Sequence, residues 1–142
     1  MIQKLALSTL CAAAVFSAGF WFGSERTVRA DANRVFELRT YHCVEGRLPN
    51  LQARFRDHTV KLFEKHGMTN IGYWVPMDEP ASKDTLTYIL AFPDREAAKK
   101  SWDDFRNDPQ WKKVQAESEK DGKIVAKVDS TYLTPADYSK IK

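Results

Sequence analysis

A chain of 142 residues, 43% hydrophobic and 12% aromatic, has the material for one buried core and the length of a single domain. Its 22 basic and 19 acidic residues give a net charge of +3, too small and too scattered for a nucleic-acid footprint, so no nucleic-acid partner is expected.

The N-terminus differs from the rest. Lys4 precedes the apolar run "LALSTLCAAAVFSAGFWFG", and the polar "SERTVRADAN" follows it. Residues 1–30 therefore read as an export signal, with small residues placing cleavage so that the mature chain begins near Asp31 or Asn33. The alternative is an uncleaved membrane anchor, because residues 5–23 come close to the roughly 20 needed to span a bilayer. The expected location is periplasmic or secreted in the first case and membrane-attached in the second. Residues 31–34 then form a linker to a domain over 35–140. Lys4, Arg26 and Arg29 against Glu25 leave with residues 1–30, so the exported part is nearly neutral. It keeps one cysteine, Cys43, which excludes an intramolecular disulfide and reads as a small buried hydrophobe.

The domain opens with "VFELRTYHC", a strand by its β-branched and aromatic content. Alternation puts Val35, Glu37, Arg39, Tyr41 and Cys43 on one face and Phe36, Leu38, Thr40 and His42 on the other. The second set is the more apolar and is expected to face helices. Pro49 suits the first turn of a helix whose stripe is Leu51, Phe55, His58, Leu62 and His66, with Val60 on the exposed side. Gly67 ends it, and Lys65 and His66 suit the negative end of the helix dipole.

"TNIGYWV" is a short second strand, and "TLTYILAF" a third with both faces covered, Leu86, Tyr88, Leu90 and Phe92 on one and Ile89 and Ala91 on the other. Asp94 caps a helix with the stripe Ala98, Trp102 and Phe105. Asp108 and Pro109 start another, with Trp111, Val114 and Ser118 in line and Gly122 beyond it. "KIVAKVDSTYL" is the last strand. The class is α+β: a ferredoxin-like β-α-β-β-α-α-β order, with a four-stranded antiparallel sheet and helices on one face. An uncovered face with apolar side chains predicts a homodimer formed sheet to sheet.

Strong catalytic motifs are absent: the sequence has no phosphate-binding Gly-rich loop, nucleophile elbow, "HExxH" or "CxxC". His58 and His66 stand about 12 Å apart along their helix at 1.5 Å per residue, so they cannot share a metal ion, and no metal site is predicted. His58 is expected to point between helix and sheet. There it is either a satisfied core histidine or, with His42 as the last helix-facing residue of the first strand, an acid–base pair acting on a ligand. Tyr73 and Trp74 are strand neighbours on opposite faces, so one of them is free for a cleft or a dimer seam. Arg39 and Glu37, read as lying on the dimer face, suggest a cross-subunit ion pair, or anion binding by Arg39.

"FELRTY", "HGMTNIGYW", "LTYILAFPDREAAKKSW" and "DPQWKKVQAESE", in this order over about residues 35–140, closely resemble the NIPSNAP family. The resemblance implies a dimeric α/β-barrel, two ferredoxin-like subunits packed sheet against sheet, in a family without a settled activity. Sister families with this barrel include cofactor-independent monooxygenases and haem-degrading enzymes, whose ligand sites lie in the cleft between helices and sheet. That location points to His42, His58, Tyr73 and Trp74 as candidate ligand-binding residues, with His42 and His58 also the candidate catalytic pair. The expectation is an exported homodimer taking a small apolar or aromatic ligand or a protein partner, with no required cofactor. The alternatives are a cofactor-independent monooxygenase or isomerase using the two histidines, and haem bound through a histidine.

Overall fold

The computed structural model describes residues 34–142. The signal or anchor over 1–30 and most of the linker lie outside the described residues. Among those described, the β-rich runs become strands β1 (Val35–Cys43), β2 (Thr69–Trp74), β3 (Thr85–Phe92) and β4 (Val125–Leu133). They form one antiparallel sheet in the order β2-β3-β1-β4, so the two longest apolar runs take the centre. Helices α1 (Leu48–Arg54) and α2 (Val60–Lys65) are joined by a π turn, Phe55–Thr59, into one continuous rod. Helices α3 (Arg95–Asn107) and α4 (Pro109–Ser118) follow β3. The result is the expected ferredoxin-like α+β fold with its helices on one face of the sheet.

The punctuation of the chain works as its chemistry dictates. The Asp94 carboxylate accepts from the Ala97 N–H at 2.7 Å and caps α3. Asp108 ends α3 and caps α4, with Pro109 where a missing N–H costs nothing. Gly67 adopts φ 77° just after α2, a conformation that stops the helix and turns the chain into β2.

The core lies between the helices and the inner face of the sheet, where Leu51, Phe63, Tyr88, Leu90 and Phe92 are fully buried. Two expectations about facing are reversed here. Glu37, Arg39, Tyr41 and Cys43 point toward the helices, while Phe36, Leu38, Thr40 and His42 occupy the open face with their partners Leu133, Thr131, Asp129 and Lys127. An apolar count misleads at β1 because its charged pair neutralises itself. Arg39 donates to Glu37 at 2.7 Å, and that carboxylate also accepts from the Trp102 indole N–H and the Ser130 hydroxyl, each at 2.6 Å. A carboxylate with that many donors can be buried without leaving an unpaired charge. The ion pair is thus within one chain and under the helices, not across a subunit seam.

The second reversal concerns helix phase. A π turn takes more residues than an α turn. Here it carries Thr59, 1% exposed, to the inner side, where it shares a recess with Phe63 and Phe105, and leaves His58 in solvent. The Thr59 hydroxyl donates to the Arg54 carbonyl at 3.1 Å, satisfying an acceptor inside the turn. Val60, expected outside, is half-buried against the core.

Candidate functional site

The inner face of the sheet carries a cluster of rings at its centre. Tyr88 lies 5.3 Å from each of Tyr41, Phe55 and Tyr73, centroid to centroid, mostly edge-on or tilted, with Tyr73 stacked. Such contacts fix ring positions beyond what area burial supplies. Tyr88 is there because β3 is central and its even-numbered residues all face the helices. Burial pushes its hydroxyl well above the ordinary tyrosine value, so it stays protonated.

Two recesses flank this cluster, and Phe55, the first residue of the π turn, lines both. One, of about 310 Å³, lies between the sheet and the helix layer, with Tyr41, Phe63, Phe105 and Trp111 as aromatic walls and Val125 and Val128 at the strand side. Its polar edge is Arg54, Gln115, Glu119, Lys123 and Lys127; the Arg54 side chain is 4% exposed and pairs with Glu119 at 3.2 Å while lying 5.4 Å from the Trp111 ring centre. The other, of about 300 Å³, opens beside β2 and is walled by Val60, Tyr73, Val75 and Leu86. Burial also raises the Tyr73 hydroxyl above its ordinary value; that hydroxyl donates to the Asn70 side-chain oxygen. Apolar walls with a few fixed polar groups are the usual make-up of a small-molecule site.

The four residues singled out from sequence are not brought together. His42 sits on the open face of the sheet, 3.0 Å from Asp129, whose carboxyl is held below its ordinary value by Lys127 first and His42 second. His58 is exposed on the outer side of the helical rod, beside Asp57, Glu117 and Ser118. The expectation that both rings reach one cleft is corrected: one lies on the far side of the sheet, the other on the far side of the helix. Tyr73 faces the helices beside Phe55, and Trp74, 51% exposed, folds its ring over Gly72. Both line the recess beside β2. His66, read as a helix-end group, is 2.7 Å from Asp108 and does no more than tie α2 to the start of α4.

Sequence reasoning passed over Tyr41, Arg54, Phe55 and Tyr88. A signal was available for β1, where Glu37, Arg39 and Tyr41 alternate on one face of a strand whose neighbour β3 carries no charged residue. Two opposite charges two residues apart in a central strand are a self-neutralising pair fit for burial.

Comparison with known proteins gives a consistent answer. The NIPSNAP family model matches residues 36–140. A NIPSNAP family protein from Agrobacterium tumefaciens superposes with a TM-score of 0.68 at 15% identity, covering 78% of this chain and 100% of that one. A NIPSNAP-like domain protein from Burkholderia xenovorans gives 0.66 at 14%, covering 76% and 90%. SnoaB from Streptomyces nogalater, a cofactor-independent oxygenase, gives 0.53 at 10%, covering 77% and 99%. Among curated proteins, none matches the chain. At these identities the likeness shows the fold, that of the dimeric α/β-barrel proteins.

Proposed function

The chain belongs to the NIPSNAP family, and from that footing we propose that it is a homodimeric binding module whose helix–sheet cleft takes a small, largely aromatic ligand. The observation that carries this reading is the pair of ring-lined recesses on either side of Phe55. Both open to solvent, and rings beside a few polar side chains are the usual lining of a small-molecule site. A π turn placed at the same spot fits the reading, because such turns recur at functional sites.

The open face of the sheet supports the homodimer. Phe36, Ile71, Ile89 and Leu133, with Tyr138 and Ile141 of the C-terminal segment, line an apolar groove of about 420 Å³. Tyr138 is 88% exposed and Ile141 58% in the single chain. Apolar surface of this kind on one chain favours a second copy laid sheet to sheet. With His42 and His58 on opposite sides of the sheet, the oxygenase or isomerase reading loses the shared cleft it needs, and nothing in the site favours it over binding.

Ala126 lines the larger recess and is exposed on the edge strand, so Ala126→Trp fills the recess at little cost to the core. A solvatochromic anilinonaphthalene probe is expected to bind the wild type saturably and to lose that binding in Ala126→Trp, with the thermal midpoint retained. Saturable binding that survives the substitution places the ligand elsewhere and overturns the proposal.

A further inference from the structure

The sequence marks His42, and the cleft makes no use of it. The residue lies on the open face of β1, where its Nε2 is 3.0 Å from the Asp129 carboxylate of β4, and that carboxylate is 2.8 Å from the Lys127 ammonium. Strand register makes the three a single patch: His42 pairs with Lys127 and Thr40 with Asp129, all on the face turned away from the helices. Asp129 is the middle residue of β4, so the patch lies well inside the sheet rather than at its end. In the single chain the His42 and Asp129 side chains are 39% and 50% exposed.

No other charge of that face stands near the imidazole. From β3, Thr85 and Thr87 lie alongside, and the Asp84 carboxylate just before that strand is taken by the Thr85 hydroxyl at 2.7 Å. β2 adds Trp74 beside Thr87. Glu45, past the end of β1, is in solvent. Arg34 stands at the far end of β1, eight residues or about 26 Å of strand away, and holds the Lys142 carbonyl. The patch is therefore neutral with a neutral imidazole and carries one positive charge with a protonated one. The bond to Asp129 needs a single ring N–H, which a neutral imidazole supplies. A second ring proton thus adds a charge that Asp129, already offset by Lys127, does not compensate.

We propose that this patch makes the sheet-to-sheet dimer pH-sensitive: the dimer assembles over His42, Asp129 and Lys127 with the imidazole neutral, and comes apart when that ring is protonated. The inference rests on the homodimer reading and names a regulation of that interface. Excluding water from an uncompensated charge costs far more than excluding it from a neutral cluster. A two-fold axis also brings two such patches into one seam, which in acid gathers two net positive charges. The sign follows from linkage. Assembly favours the form with fewer bound protons, so the dimer is tightest above the ordinary imidazole range near pH 6.5 and weakens as pH falls through it.

The test is sedimentation equilibrium of the full chain at pH 7.5, 6.5 and 5.5 and constant ionic strength, with circular dichroism to verify the fold at each pH. The wild-type dissociation constant is expected to rise about tenfold or more from the highest pH to the lowest. His42→Gln keeps a side-chain N–H for Asp129 and never charges, so its constant should stay within about twofold over that range. Lys127→Gln reverses the sign: without the ammonium, a protonated His42 neutralises Asp129, and the dimer should tighten as pH falls. A wild-type dimer indifferent to pH, a pH dependence that His42→Gln leaves intact, or a Lys127→Gln dimer that still weakens in acid would each overturn the proposal and leave the assembly standing. A wild type that sediments as a monomer at every pH overturns the assembly reading, and this inference with it.

Discussion

Asp108 joins three elements, and its removal gives a stability change that can be worked from its contacts. One carboxylate oxygen accepts from the Gln110 N–H at 2.7 Å; the other accepts from Lys65 and His66, each at 2.7 Å. The residue is 6% exposed. Loss of the cap costs about 1 kcal/mol. The hydrogen bond with the largely buried His66 contributes about 1.5 kcal/mol. Lys65 has a side chain 53% exposed, so its pairing is screened and contributes at most about 0.5 kcal/mol. Asp108→Ala should therefore cost about 3 kcal/mol in urea unfolding followed by tryptophan fluorescence, and lower the thermal midpoint by on the order of 12 °C. Asp108→Asn keeps an oxygen for the Gln110 N–H and loses the charge, so it should cost about 2 kcal/mol. The pH dependence has a definite sign. The hydrogen bond from Lys65, then that from His66, hold the Asp108 carboxyl well below the usual carboxylate range. A carboxylate depressed in the folded state contributes fully above its unfolded pKa of about 3.9 and loses that contribution as pH falls toward the folded value. The gap between wild type and Asp108→Asn should thus be constant near neutrality and close below about pH 4. Equal cost for the Ala and Asn variants, or a gap that widens in acid, would refute this reasoning.

Thr59→Val removes the hydroxyl that satisfies the Arg54 carbonyl inside the π turn, and should cost about 1–2 kcal/mol at nearly constant volume; a neutral result would mean the turn is held by packing alone. Ile89→Lys places a charge on the open sheet face and should convert a sedimenting dimer to a monomer with its circular dichroism retained; a wild type that sediments as a monomer contradicts the sheet-to-sheet assembly. Cys43 is 7% exposed and its thiol is raised above the ordinary value, by burial first and Asp84 second. Peptide mapping after iodoacetamide treatment at pH 8 should find its peptide labelled at least about 100-fold more slowly than in urea, and comparable rates would show that β1 opens freely.

Legibility from sequence followed the physics of each feature. Strands β1 and β3 could be bounded to the residue because β-branched and aromatic runs end at turn chemistry, and the helix ends could be placed because Asp94, Asp108 and Gly67 act locally. Facing in β1 could not, since burial of Glu37 and Arg39 depends on Trp102 and Ser130, which are distant in sequence. The phase of the first helical rod failed for a related reason. Its apolar residues fit an α period through His58 nearly as well as one through Thr59, and the choice is made by a π turn with no local sequence mark. That one-residue difference moved His58 from a supposed cleft to the surface. The unpaired Tyr88 hydroxyl is a property of the assembled core alone, although the strand alternation that buries Tyr88 was plain.

The central claim, that the cleft beneath the π turn holds a small aromatic ligand, is tested most directly by intermolecular nuclear Overhauser effects from the ring protons of the bound anilinonaphthalene probe. Contacts to the methyl groups of Val125 and Val128, which border the cleft, are the predicted result. Contacts confined to Leu38, Ile89 and Leu133 on the open sheet face would contradict it.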